Sequence, residues 1–173
     1  MLKRYVPFAH AKNLFDIDIS FFKKFGTKYL LCDLDNTLDS YKTKLPSPQV
    51  FEFKRKLEEN GIELVIVSNN TGKRVTLYSN TLGVRFISRA SKPFHRRLVK
   101  KLRAANIDLK SSMMIGDQTV TDIVSANGAH IRSILTDKLV KEDQPTTRFN
   151  RLFDRPIRKR LARKNLLTDW RKL

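Results

Sequence analysis

Short apolar runs recur along the chain, and amphipathic stretches separate them. The runs at 29–32, 62–67, 84–87, 113–115 and 129–135 contain neither Gly nor Pro and are bounded by polar or turn-forming residues. That pattern predicts buried strands. Between them the apolar positions recur at helical spacing. Ser47-Pro48 opens one helix, with Ser as N-cap and Pro at the first helical position. Val50, Phe53 and Leu57 form its apolar stripe, and Gly61 ends it. A second helix begins at Thr71-Gly72, carries Val75, Tyr78 and Leu82, and closes at Gly83. Ser91-Lys92-Pro93 precedes a basic helix over 94–105, and another helix over 121–126 closes near Gly128. Upstream, Asp18 or Ser20 caps a short helix that stops at Gly26, among aromatics expected to lie against the sheet. Strands alternating with helices at this spacing predict an α/β, Rossmann-like parallel sheet with helices on both faces. The expected division is a basic, aromatic lead-in at 1–27, a core at 28–137 and a basic tail at 138–173.

The polar residues of interest fall where the apolar runs stop. Asp33 and Asp35 follow the first run, Ser68 the second and Asp117 the fourth; Lys92 precedes the basic helix. In a parallel sheet these positions share one edge, where open α/β sheets bind ligands. Two carboxylates at i and i+2 start on the same side of an extended chain and repel unless a cation or shared proton relieves them. An aspartate can attack phosphorus to form an acyl-phosphate, and a second carboxyl can protonate the leaving alkoxide. Mg²⁺, which prefers oxygen ligands, would screen the acids from the phosphate. An ammonium and a hydroxyl, Lys92 and Ser68, would hold phosphoryl oxygens.

In order, Asp33-Leu34-Asp35-Asn36-Thr37, Ser68, Lys92 and Gly116-Asp117-Gln118-Thr119-Val120-Thr121-Asp122 resemble the four motifs of the haloacid dehalogenase (HAD) superfamily, over about residues 28–135. The Asp-Leu-Asp-Asn-Thr-Leu loop, the Val-Ser-Asn-Asn turn, Lys92-Pro93 and the Gly-Asp-Gln-xxx-Thr-Asp run resemble the YqeG-type branch of subfamily IIIA, which is similar to mitochondrial phosphatidylglycerophosphate phosphatases. The resemblance implies Asp33 as nucleophile and Asp35 as general acid/base. It implies Asp33, the Asp35 backbone carbonyl and Asp117 as Mg²⁺ ligands, with Asp122 a supporting acid. Thr37 would brace the loop, and Asn69 would contribute to the phosphate pocket. Members of the superfamily discriminate through inserted cap domains. Here 38–61 and 68–92 leave no room for one, so the site is expected to be open to a large or surface-bound substrate.

Composition narrows the partner. The chain has 35 basic and 17 acidic residues, a formal charge of +18 over 173 residues. That balance calls for an anionic partner: a phosphorylated substrate, an anionic phospholipid surface or nucleic acid. From Arg148 to Leu173 there are ten basic residues against Asp154 and Asp169, and Phe149, Phe153, Ile157 and Leu161 recur every fourth residue beside Leu152. On a helix they predict an apolar stripe flanked by charge, suited to a membrane interface or to the protein's own core, with Pro156 kinking or restarting it. Trp170 fits either role. The lone Cys32 excludes an internal disulfide and reads as a small buried residue. His10, His95 and His130 lack metal-ligand spacing. Lys73 and Arg74 open a helix beside Ser68, as surface charges or phosphate attractors, and Asp39 is a turn former or a contact. No signal peptide or membrane span is read, which fits a cytoplasmic protein, peripheral at most. The expected function is a phosphomonoester hydrolase acting on phosphatidylglycerophosphate at a membrane. The alternatives are a phosphatase of nucleic-acid ends or phosphoproteins, and an RNA- or ribosome-associated basic protein.

Overall fold

A computed structural model describes residues 2–70, 72–140 and 145–173, with side chains from Asn150 onward in the last segment. Six parallel strands form one sheet: β1 (Ala9–Ala11), β2 (Tyr29–Cys32), β3 (Glu63–Val67), β4 (Arg85–Ile87), β5 (Ser112–Gly116) and β6 (Arg132–Thr136), in the order β1-β6-β5-β2-β3-β4. Five of the strands match predicted runs. β1 was not expected. At three residues, with His10 between two alanines, it carries too little apolar signal to be seen, and it exists because it pairs along β6, Ala9 opposite Ile134. The lead-in therefore contributes to the sheet itself.

The central strands are apolar throughout because both faces are covered. Leu30, Cys32, Leu64, Ile66, Met113 and Ile115 point into one core. There they meet α1 (Ile19–Lys24), α2 (Pro48–Glu59) and α3 (Lys73–Leu82) through Phe22, Val50, Leu57, Val75 and Tyr78. Leu31, Val65, Val67 and Met114, the alternate residues of the same strands, point into a second core. It is closed by Leu98 and Leu102 of α4 (His95–Ala104) and Ala126 of α5 (Val124–Gly128). Ser47 stands extended before Pro48 as expected, yet its side chain makes no capping hydrogen bond. Thr71, expected to open α3, lies outside the described residues; Gly72 is the N-cap. Cys32 is a buried free thiol.

The tail forms one helix, α6 (Pro145–Arg163), that runs through Pro156. Its expected apolar stripe is not its packing face. Leu161 is buried, Ile157 half-buried and Phe153 exposed; the Phe149 side chain lies outside the described residues. A repeat of four drifts by about 40° per step on a helix of 3.6 residues per turn, so these positions spiral around it. The face that docks is 151-154-158-161, spaced three, four and three: Arg151 and Asp154 are buried with Leu161, and Arg158 is half-buried. Beyond the helix the chain returns to β1. The His10 amide donates to the Thr168 carbonyl at 2.7 Å, and Trp170 stacks edge-on against Phe21. Trp170 is thus a packed residue. Among the described residues no helix is long and apolar enough to cross a membrane.

Candidate active site

β2, β3 and β5 end side by side, in register Cys32–Ile66 and Cys32–Ile115, so the residues that follow them converge. Asp33 leaves β2 with its amide on the Ile115 carbonyl at 2.9 Å, and its carboxylate Oδ1 accepts from Lys92 Nζ at 2.7 Å. Lys92 is buried and its ammonium has two further partners, Asp122 Oδ1 at 2.7 Å and the Val67 carbonyl at 2.8 Å. Two of these are hydrogen bonds, and the contact to Asp122 is an ion pair. Asn69 holds the Lys92 backbone from both sides, donating to its carbonyl and accepting from its amide, each at 2.8 Å. Asn69 thus fixes Lys92, and it also lines the same cavity as Asp33.

Asp35 does not share the Asp33 environment. The strand stops at Cys32 and the chain turns at Leu34, between the two acids, so the alternation that would keep them together ends. Asp35 turns toward α3, where Arg74 Nη1 donates to Oδ1 at 2.5 Å and Asn70 Nδ2 to Oδ2 at 2.6 Å. Both acids nevertheless line one cavity of about 140 Å³ with Ser68, Lys92, Gln118 and Asn150. At about 30 Å³ per water it has room for a phosphoryl group and little more. Ser68 is buried at its wall, and its Oγ accepts from the Asn70 amide at 3.1 Å. Thr37 is buried beneath the loop, with no hydrogen bond to its hydroxyl among the described residues. Asp39 is structural, accepting from the Ser47 amide at 3.0 Å and the Tyr78 hydroxyl at 2.7 Å.

Asp33, Asp117 and Asp122 each place a carboxylate oxygen within 4.8 Å of the others, all three buried. Burial pushes Asp33 above the ordinary carboxylate range against the pull of Lys92. It pushes Asp117 up to about 7 and Asp122 up to about 6, partly offset by Arg151 and Lys92 respectively. Burial alone would depress the Lys92 ammonium, but Asp122 and Asp33 outweigh it and hold its pKa above the usual lysine value. Asp117 Oδ1 is buried with no hydrogen-bond partner among the described residues. Three hard oxygen donors, with Asp117 Oδ1 and Asp122 Oδ1 both buried and lacking a hydrogen-bond partner among the described residues, fit a divalent cation.

Several site groups escaped the sequence reading. Arg74 was weighed only as a surface charge or a phosphate attractor, whereas it holds Asp35 and also donates to the Thr43 and Ser40 carbonyls, both at 3.0 Å. Lys73 is exposed. Asn150 and Arg151 reach the site from the tail, Arg151 on Asp117 Oδ2 and Asn150 Nδ2 on Gln118 Oε1 at 3.4 Å. The 151-154-158 spacing was the available signal, obscured by the more conspicuous run of apolar residues. A larger, open groove of about 950 Å³ lies between Arg4, Phe8, His95 and Arg132, at the start of β6. It contains none of these acids, and the chemistry stays with the small cavity.

A parallel sheet ending in this cluster defines an HAD-type phosphatase. The HAD-hydrolase-like family model matches residues 88–151. The probable phosphatase YqeG of Bacillus subtilis is 35% identical over 165 residues, 95% of this chain and 96% of that protein. A crystal structure of an uncharacterized Listeria monocytogenes protein superposes with a TM-score of 0.54 at 20% identity, over 68% of this chain and 85% of that one. The 3-deoxy-D-manno-octulosonate 8-phosphate phosphatase of Yersinia pestis does so with 0.50 at 18% identity, over 75% and 72%. The chain belongs to the YqeG-type, HAD-like phosphatases.

Proposed function

We propose that the chain is a Mg²⁺-dependent phosphomonoesterase whose substrate is phosphatidylglycerophosphate, met at the surface of an anionic membrane. Asp33 and Asp117, with the Asp35 backbone carbonyl and Asp122 in support, would hold the cation. When bound, Mg²⁺ would neutralise the acids and the incoming phosphate. The Asp33 carboxylate attacks phosphorus while the bond to the lipid alkoxide breaks, and Asp35 gives that alkoxide its proton. Asp35 then takes a proton from water, whose oxygen attacks the aspartyl-phosphate, releasing phosphate and restoring Asp33. The Lys92 ammonium and Ser68 hydroxyl stabilise the charge on the phosphoryl oxygens.

The observation that carries the lipid reading is the rim of the site. Phe94, 63% exposed, stands two residues beyond Lys92; Leu152 and Phe153, 69% and 55% exposed, follow Asn150 and Arg151. Exposed Arg155, Lys159 and Arg160 continue from them along α6. Apolar groups among cations beside an uncapped phosphate pocket suit an anionic interface. The exposed Arg96, Arg97, Lys100 and Arg103 of α4 favour a second reading, a phosphorylated nucleic-acid end. The test is Mg²⁺-dependent phosphate release from phosphatidylglycerophosphate in mixed micelles, beside 5′-phosphorylated oligonucleotides and small phosphate esters, with Asp33→Asn as control. Preferential turnover of the lipid is expected. Oligonucleotide hydrolysis without lipid hydrolysis would establish the second reading instead.

A further inference from the structure

α6 reaches the acidic cluster through charge. Arg151 is buried, its Nη2 on Asp117 Oδ2 and its Nη1 donating to the Asp117 carbonyl at 2.9 Å. Asp154, also buried, accepts from the Thr119 amide at 2.5 Å and from the Thr119 hydroxyl, and takes Arg158 Nε on its other oxygen at 3.0 Å. Arg158 Nη2 donates to the Asp117 and Thr136 carbonyls, both at 2.6 Å. One turn of chain, 117–119, is thus held from α6 at its carboxylate, its carbonyl and its next amide but one. The contact to Asp117 has a consequence for its other oxygen. With Oδ2 on Arg151, the carboxylate cannot rotate, and Oδ1 stays buried without a partner beside Asp33 and Asp122.

We propose that Arg151 is a positioning residue that presents Asp117 Oδ1 to the metal, so that the seating of α6 and metal binding are one coupled equilibrium. The proposal rests on the metal-dependent reading above. A free carboxylate of this kind would swing between rotamers and pair with Arg151 by either oxygen; two contacts from one guanidinium, to the side chain and to the carbonyl of the same residue, select one arrangement. Groups that orient a ligand in this way typically change metal affinity by about 10–100-fold when removed. The opposing effect is electrostatic: the guanidinium's positive charge repels the cation. The buried, orphaned oxygen decides for positioning, because it is the position a cation would fill.

The test is direct Mn²⁺ binding to the full chain, followed by electron paramagnetic resonance of the free ion. In Arg151→Gln the dissociation constant is expected to rise by about tenfold or more. Arg151→Lys should fall between the two, since an ammonium keeps the charge and loses the fork. Arg163→Gln, an exposed charge on the same helix, should leave it unchanged. Equal or tighter binding by Arg151→Gln would overturn the proposal while leaving the metal reading intact. Failure of the unaltered chain to bind Mn²⁺ would overturn both. Should Arg151→Gln not fold, hydrogen exchange on the unaltered chain replaces it. By reciprocity, saturating Mn²⁺ should slow exchange in 150–161 more than in α2. Equal slowing of the two helices would overturn the coupling.

Discussion

Arg74 Nη1 donates to Asp35 Oδ1 at 2.5 Å, joining the first helix after β3 to the loop after β2. The same guanidinium bonds the Ser40 and Thr43 carbonyls, so it sets both the carboxylate and the loop that carries it. Arg74→Ala is expected to lower kcat by about tenfold, short of the 10²–10⁴ associated with losing a general acid altogether. Steady-state kinetics beside Mn²⁺ binding check it: turnover should fall with metal affinity unchanged. Equal loss in both would show that Arg74 supports the whole site rather than Asp35.

Asp33→Asn separates chemistry from stability. Turnover should fall below about a thousandth, because an amide cannot attack phosphorus. In chelator at neutral pH the variant should melt no lower than the unaltered chain. The folded pKa of Asp33 is raised, so the folded state holds a proton that the unfolded chain releases, and the charged group costs stability at any pH above the ordinary carboxylate value. Asparagine removes that cost. The difference in Tm should shrink as pH is lowered toward about 4, where the unfolded aspartate is itself protonated.

Lys92→Ala should do the opposite. It leaves Asp33 and Asp122 buried without their shared cation, together with the Val67 carbonyl. Loss of one partner from a buried pair costs about 3–5 kcal/mol, which urea unfolding of the chelated protein would read directly. A variant as stable as the unaltered chain would mean the acids are neutral there.

Gly116 is required by a close approach. A Cβ there would fall on the Asp122 side chain, 2.6 Å from its Cβ. Gly116→Ala is therefore expected to displace Asp122, weaken Mn²⁺ binding and lower Tm by several degrees. Unaltered binding would remove Asp122 from the cation's surroundings.

The rim can be tested without touching the site. Truncation before Arg148 would not serve, because it also removes Arg151, Asp154 and Arg158 from the Asp117 turn. Leu152→Ser with Phe153→Ser is expected to weaken flotation with anionic vesicles by about tenfold or more, given about 1.5–3 kcal/mol for a fully buried side chain of this size. Turnover of a small soluble phosphate ester should not change. Unchanged flotation would remove these residues from membrane contact.

Much of this was legible from residue order. Strands that are buried on both faces read as apolar runs, and a parallel sheet brings their ends together, so Asp33, Ser68 and Asp117 were read from where those runs stop, and Lys92 from its place before the basic helix. β1 was not, since three residues with one histidine gain their structure only from β6. The partners of Asp35 were not either. Nothing in the spacing of Asp35 and Arg74 shows that the chain turns at Leu34, between the two acids, and carries Asp35 to α3.

The tail marks the boundary most clearly. By itself the chain determined that a charged helix would form there and that the site would end β2, β3 and β5. It did not determine which face of that helix docks. An apolar residue seeks any dry surface, whereas a buried arginine needs a particular carboxylate at a particular distance. Only the folded chain places Asp117 opposite Arg151, and that contact joins the tail to the acids of the site.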